Sequence, residues 1–104
     1  MMQKQYKLTY LPLFRKDLEE AVLYIAYELQ NPDAAQRLTD QVERAILKRL
    51  ENPESFEKYP SKHERRYPYY RIYVGNYVVY YVVIDDVMEV RRFLYKRRNA
   101  NELV

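Results

Sequence analysis

Residues 69–98 read YYRIYVGNYVVYYVVIDDVMEVRRFLYKRR, a stretch dominated by tyrosine and valine. Residues that are branched at the β carbon or carry an aromatic ring suit the pleated surface of a sheet better than a helix. Gly75-Asn76 and Asp85-Asp86 each supply two adjacent residues that tolerate a positive φ, so each pair is able to close a tight hairpin. The stretch therefore predicts three antiparallel strands joined as a continuous meander.

Cations gather at the end of this meander. The last predicted strand and the residues after it contain Arg91, Arg92, Lys96, Arg97 and Arg98. Residues 58–98 hold ten basic and four acidic side chains, whereas residues 1–57 are nearly balanced, and the net charge is +3. This asymmetry favours an anionic partner, which would be RNA, DNA or an acidic protein segment. The alternative is a solvated surface that only keeps the protein soluble.

Composition excludes several classes of protein. A chain of 104 residues has the length of one domain with one core, and we expect a single domain over residues 1–104. Without cysteine, with one histidine and with one glycine, the chain has no means of building a thiolate site, a metal cluster or a glycine-rich phosphate loop. We therefore expect no cofactor and no metal. No apolar run approaches the roughly 20 residues that span a bilayer, and no signal peptide is evident, so we expect a cytoplasmic protein.

The residues before the meander predict one strand and two helices. Tyr6, Leu8 and Tyr10 alternate with polar residues, which is typical of an edge strand, and Pro12 ends it. Apolar residues then recur at steps of three and four from about residue 13 to 30, and again from residue 33 to 50. Asn31-Pro32-Asp33 separates the two helices, which should fold back as an antiparallel hairpin on one face of the sheet. The predicted fold class is α+β, with the element order β-α-α-β-β-β.

Two segments lie outside these elements. Residues 53–68 contain three prolines and the only histidine, His63, and they predict a loop in which His63 is an exposed side chain without a catalytic role. After the meander, Asn99 is able to cap a single helical turn, or the last residues fray.

Both faces of the predicted sheet are apolar. Alternation along residues 77–84 places Tyr77, Val79, Tyr81 and Val83 on one face, and the four residues between and after them on the other. The helical hairpin covers only one of these faces. We therefore expect part of the second face to be an open groove that awaits a partner peptide or nucleic acid.

Several short motifs follow one another along nearly the whole chain. They are Tyr6–Tyr10, Asp17–Val22, Asn31–Ala35, Tyr70-Arg71, Asn76–Tyr81 and Val90–Arg98. With its motifs in this order, the chain resembles the RelE/ParE superfamily of toxins from type II toxin–antitoxin systems. The resemblance implies the same strand, hairpin and meander, a cognate antitoxin that covers the toxin in a hetero-oligomer, and action in the cytoplasm.

The resemblance leaves two kinds of target open. Toxins of the RelE type cleave mRNA on the ribosome, using basic residues of the central strands and a tyrosine near the C-terminus. Arg71 and Arg97 match two of those basic positions. Tyr73, Val78 and Leu103 depart from the pattern, because they replace a lysine, an arginine and the tyrosine. Tyr95 stands where many relatives have a histidine, so a strong general base is missing.

These departures favour the ParE type, which binds DNA gyrase and breaks no bond. On this interpretation no residue is catalytic. The residues expected to contact the target or the antitoxin are Arg71, Arg91, Arg92, Tyr95, Lys96, Arg97 and Arg98. The alternative is a ribosome-dependent mRNA interferase, in which Arg71 and Arg97 hold phosphates and Tyr95 lies near the reacting 2′-hydroxyl.

Overall fold

The computed structural model describes residues 4–60 and 66–104. Its elements are β1 (Lys7–Tyr10), α1 (Pro12–Leu23), a π-helical turn (Tyr24–Glu28), α2 (Pro32–Leu50), β2 (Tyr70–Val74), β3 (Tyr77–Ile84), β4 (Val87–Tyr95) and a 3-10 turn (Ala100–Glu102). The predicted α+β fold and its element order are confirmed. His63 lies outside the described residues, so the expectation about its role stays a prediction.

The four strands form one mixed sheet in the order β1-β4-β3-β2. The meander from β2 to β4 is antiparallel, as predicted, while β1 pairs in parallel with β4 and forms an edge. In each hairpin the first turn residue takes a positive φ, which is 57° at Gly75 and 56° at Asp85. Tyr95 at the end of β4 pairs with Tyr77 at the start of β3, so the end of β4 lies beside the turn that joins β2 to β3. This corner of the sheet is central to the candidate site.

The helical hairpin is confirmed, but its first helix is shorter than predicted. The α-helical part ends at Leu23, and a wide turn follows in which the Leu29 amide donates to the Tyr24 carbonyl at 3.1 Å. The backbone must become extended before Pro32, and Gln30 makes the reversal with a φ of 50°. The prediction of one regular helix to residue 30 was wrong for this reason. Within the described residues, no helix has both the length and the apolar character that a membrane crossing requires.

One hydrophobic core lies between the sheet and the helical hairpin. The helices contribute Phe14, Leu38, Val42 and Ile46, which are all buried. The sheet contributes the face predicted from alternation, with Val79 and Tyr81 of β3 at its centre, together with further strand residues, namely Tyr70, Ile72, Val74, Met88, Val90 and Phe93. Phe14 of α1 packs edge to face on Phe93 of β4 within this core, with ring centres 6.1 Å apart.

The chain itself covers the second face of the sheet over β3, so the prediction of an open apolar groove there was wrong. Val78, Tyr80 and Val82 of β3 are at most 5% exposed. The residues that pack over this face come from the segment before β2 and from the last five residues, namely Tyr59, Tyr67, Ala100, Leu103 and Val104. A hydrogen bond of 2.8 Å from the Tyr59 hydroxyl to the Asn101 side chain joins the two covering segments.

The buried tyrosines predict a loss of stability in alkali. Burial raises the pKa of Tyr10, Tyr70, Tyr77, Tyr80 and Tyr81 above the ordinary value of 10.0. Above pH ~10 the unfolded chain loses phenolic protons that the folded chain retains, so the free energy of unfolding should fall with rising pH. The contribution is complete below pH ~10 and disappears as the pH passes the raised values.

Urea unfolding between pH 8 and pH 11 tests this expectation. Tyr77→Phe removes one ionisable group and should make the pH dependence shallower than in the wild-type protein. An identical dependence in the two proteins would contradict the assignment of Tyr77 as a late-titrating group.

Candidate target-binding surface

Four predicted site residues lie together where β4 ends. Tyr95 is 44% exposed, and Lys96, Arg97 and Arg98 follow it in an exposed turn. Two backbone hydrogen bonds hold this turn, one from the Lys96 amide to the Asn76 carbonyl at 2.8 Å and one from the Arg98 amide to the Tyr95 carbonyl at 2.9 Å. None of the three cations makes an ion pair within the described part of the chain. We call residues 95–98 the basic corner.

A β-bulge lies at Arg91, between Val90 and Arg92 of β4. Tyr80 pairs with Arg92 and Tyr81 pairs with Val90, so Arg91 is an extra residue in β4. A bulge changes which face of the sheet the following side chains occupy. Arg91 and Arg92, although adjacent in sequence, have different partners within the chain.

Arg92 is held by a carboxylate of the helical hairpin. Its Nε and Nη2 atoms donate to Oδ2 and Oδ1 of Asp17 at 2.7 and 3.0 Å, and the Phe93 amide donates to the same Oδ2 at 3.0 Å. The two charged side chains are only 12% and 8% exposed. Arg92 therefore attaches β4 to α1, and its contact with a target, expected from sequence, would require this pair to open.

Arg91 lies on the other face of the sheet. Its Nε donates to Glu89 at 2.8 Å, and Nη1 donates to the Tyr69 hydroxyl at 3.3 Å. Burial lowers the pKa of Arg91, but the hydrogen bonds with Tyr69 and Glu89 outweigh it and raise the pKa overall. Arg91 is thus a charged group with partners inside the chain.

Arg71 is the remaining predicted site residue, and it lies on β2. Its guanidinium carbon is 5.0 Å from the centre of the Tyr59 ring and 5.7 Å from that of Tyr73. Tyr59 packs edge to face on Tyr80, which belongs to the face opposite the helices. Arg71 is therefore part of that face, beside Tyr73, whose side chain is 63% exposed.

The three residues proposed for RNA cleavage are not brought into one site. Tyr95 packs edge to face on Tyr77 at 5.6 Å, and Tyr77 belongs to the core under the helices. Tyr95 and Arg71 thus lie on opposite faces. Along the strands Arg71 pairs with Tyr80, three residues from Tyr77, and this separation is roughly 10 Å at about 3.3 Å per residue. Arg97 lies with Tyr95 in the basic corner.

A groove adjoins the basic corner on the side of α1. Its volume is about 220 Å³. The residues that line it include Ala21, Tyr24, Tyr77, Phe93, Tyr95 and Arg98. We call this the aromatic groove. The rings of Tyr77 and Phe93 are stacked with their centres 4.8 Å apart and form its floor.

Sequence reasoning missed two residues of this region, Asp17 and Tyr24. Both follow the apolar stripe of the first helix, because Asp17 is three residues after Phe14 and four before Ala21, and Tyr24 is three after Ala21. A carboxylate on an apolar stripe needs a buried partner. That position was the signal available in the sequence, and the partner is Arg92.

Three solved structures share this fold. The toxin–antitoxin system described as chromosomal ParDE from P. aeruginosa aligns with a TM-score of 0.72 at 11% identity, over 88% of this chain and 96% of that chain. The DinJ-YafQ complex from E. coli aligns with a TM-score of 0.56 at 12% identity, over 88% and 92% of the two chains. YafQ from E. coli strain BL21(DE3) gives 0.52 at 14% identity, over 96% and 100%. A comparison with curated proteins gives no significant match.

The family is established by the sequence. Residues 8–100 match the family described as ParE toxin of type II toxin-antitoxin system, parDE. The matched region includes both helices, three complete strands and all but the first residue of β1. The chain therefore belongs to the ParE toxin family of type II toxin–antitoxin systems.

Proposed function

We propose that this toxin stops growth by binding DNA gyrase through the basic corner and that it breaks no covalent bond. Family membership supports the toxin part of the proposal. The exposed cations of residues 96–98 support the placement of the contact, because two backbone hydrogen bonds hold their turn at the end of β4 and they make no ion pair in the described part of the chain. A complex of gyrase with DNA offers such cations many anionic groups.

We prefer binding over cleavage because Arg71 and Tyr95 are separated in the fold. In-line attack by a ribose 2′-hydroxyl needs a base and phosphate-binding cations around one phosphate, within hydrogen-bond reach of it. Arg71 lies against Tyr59 on one face of the sheet, and Tyr95 lies against Tyr77 on the other. An mRNA interferase built from Arg71, Tyr95 and Arg97 would need a rearrangement of the sheet, so we regard that alternative as the weaker one.

A cognate antitoxin is the second proposed partner. Two of the structural relatives are described as toxin–antitoxin systems or complexes, ParDE and DinJ-YafQ. We propose that an antitoxin of this protein carries an acidic segment that covers the basic corner, and that toxin and antitoxin form a hetero-oligomer in the cytoplasm. Such a segment would compete with gyrase for the same cations, which accounts for neutralisation by simple exclusion.

Purified toxin assayed in two reactions tests the proposal. The first reaction is ATP-dependent supercoiling of a relaxed plasmid by DNA gyrase, and we expect inhibition. The second is cleavage of mRNA on programmed ribosomes, and we expect the message to stay intact. Specific cuts in the ribosome-bound message, with supercoiling unaffected, would replace gyrase binding with the interferase alternative.

Arg97→Ala should weaken the toxin strongly. An arginine side chain that binds an anionic group contributes roughly 1.5–3 kcal/mol, so the concentration for half-inhibition of supercoiling should rise about 10- to 100-fold. The matched control is Arg37→Ala, because Arg37 is an exposed cation on α2. Growth arrest after induced expression of Arg97→Ala that equals the wild-type arrest would remove Arg97 from the site.

A further inference from the structure

We propose that the aromatic groove receives a bulky apolar side chain of the gyrase polypeptide, and that Arg98 pairs with a carboxylate next to that side chain. The proposal rests on the proposed function and identifies the part of the gyrase–DNA complex that the toxin contacts. Its occupant is thus a protein segment and not the DNA.

The shape of the groove fits one side chain. Pockets for drug-sized molecules measure roughly 300–1,000 Å³, and this groove measures about 220 Å³. Its floor is apolar, since Phe93 is 3% exposed and stacks on Tyr77. Its two walls are the rings of Tyr24 and Tyr95, which are 54% and 44% exposed. A partner that buries these rings would gain apolar contact at little cost in side-chain entropy.

Polar groups of the groove fit a carboxylate or a carbonyl. The hydroxyls of Tyr24, Tyr77 and Tyr95 have no hydrogen-bond partner among the described residues. The Tyr77 hydroxyl is a donor at neutral pH, as any phenol with an ordinary pKa is, and burial, Tyr95 and Tyr24 raise its pKa further. Together with the Arg98 guanidinium, these hydroxyls give the groove several donors for oxygen atoms of a partner.

The charges around the groove favour a polypeptide over a nucleic acid. The exposed side chain of Glu20 lines it, and so does Asp17, whose carboxylate is bound to Arg92. A continuous phosphate backbone along the groove would meet Glu20 and be repelled. A peptide is able to place a carboxylate at Arg98 and a neutral or basic residue at Glu20, so both charges are matched.

The experiment measures binding of full-length toxin to DNA gyrase in the absence of DNA, with surface-immobilised gyrase. Ala21→Trp places a large ring inside the groove and should weaken binding at least about tenfold. Leu23→Trp is the matched control, because Leu23 is 46% exposed on the same helix and does not line the groove. It should bind like the wild-type protein.

Two surface variants keep the test independent of how Ala21→Trp folds. Tyr24→Ala removes one wall, and Arg98→Glu reverses the charge, and each should weaken DNA-free binding at least about tenfold. Arg37→Glu is the charge control and should have little effect.

The possible results distinguish failure of the groove assignment from failure of the proposed function. If the wild-type toxin inhibits supercoiling and all three groove variants bind as it does, the groove assignment is overturned while the proposed function stands. Binding that appears only with DNA, or to DNA alone, would overturn the polypeptide assignment. A wild-type toxin that neither binds nor inhibits gyrase would overturn both.

Discussion

Asp17→Ala is expected to lower the free energy of unfolding by about 3–5 kcal/mol, since removing one partner of a buried ion pair leaves the other charge buried and unpaired. Asp17 accepts hydrogen bonds from Nε and Nη2 of Arg92 and from the Phe93 amide, at 2.7, 3.0 and 3.0 Å. Both side chains of the pair are nearly buried, so water would hydrate the remaining guanidinium poorly. Urea unfolding followed by circular dichroism measures the loss.

An exposed ion pair of the same protein provides the control. Lys7 and Asp86 are 3.9 Å apart, with side chains that are 78% and 47% exposed. Lys7→Ala should change the free energy of unfolding by less than about 1 kcal/mol. The double substitution Asp17→Leu with Arg92→Met should recover part of the stability lost in Asp17→Ala, because no buried charge remains although the Phe93 amide still lacks its acceptor. Equal effects of Asp17→Ala and Lys7→Ala would contradict the structural role of the buried pair.

Removal of residues 100–104 is expected to cost at least about 3 kcal/mol, because it uncovers the second face of the sheet. Val104 is fully buried and Ala100 is 6% exposed, and with Leu103 they cover Val78, Val82 and Leu94. Burial of one valine side chain is worth about 1.5–3 kcal/mol, and the exposure of the residues beneath adds to its loss. The shortened protein should also bind the dye ANS, which reports exposed apolar surface.

Asn101→Ala tests the contribution of the hydrogen bond to stability separately from that of the apolar cover. It removes the acceptor of the Tyr59 hydroxyl while Val104 is retained, and it should cost only about 1 kcal/mol without dye binding. If the shortened protein unfolds at the same urea concentration as the wild-type protein, residues 100–104 do not form the cover described above.

The sheet and hairpin were predictable because long periodic patterns specify them. Alternation along β3 assigned each side chain to the correct face. Val79 lies in the core under the helices, and Val78 lies in the cluster on the opposite face. The cover of the second face was not predictable. Ala100, Leu103 and Val104 are too few to establish a period, and only the folded sheet brings them against the meander.

The candidate site was predictable only in part, because Arg91 and Arg92 have partners that are distant in sequence, namely Tyr69 and Asp17. Met88 and Val90 are spaced by two and Val90 and Phe93 by three, and this change of spacing marks the bulge at Arg91. Sequence proximity grouped Arg91 and Arg92 with the basic corner, whereas the structure gives each of them a partner within the chain. The basic corner was predictable from the sequence, because its four residues are consecutive and stand at the end of the last strand pattern.

The stoichiometry of gyrase inhibition tests the central claim most directly. Supercoiling is measured at a fixed gyrase concentration while toxin is titrated from far below to above that concentration, with ribosome-bound mRNA present in a parallel sample. A toxin that acts by occupancy should inhibit in proportion to the gyrase it fills, reach full inhibition only near or above equimolar toxin, and leave the message intact. If toxin at concentrations far below that of the ribosome-bound message cut the message completely, the protein would be turning over a substrate. The binding account would then be wrong.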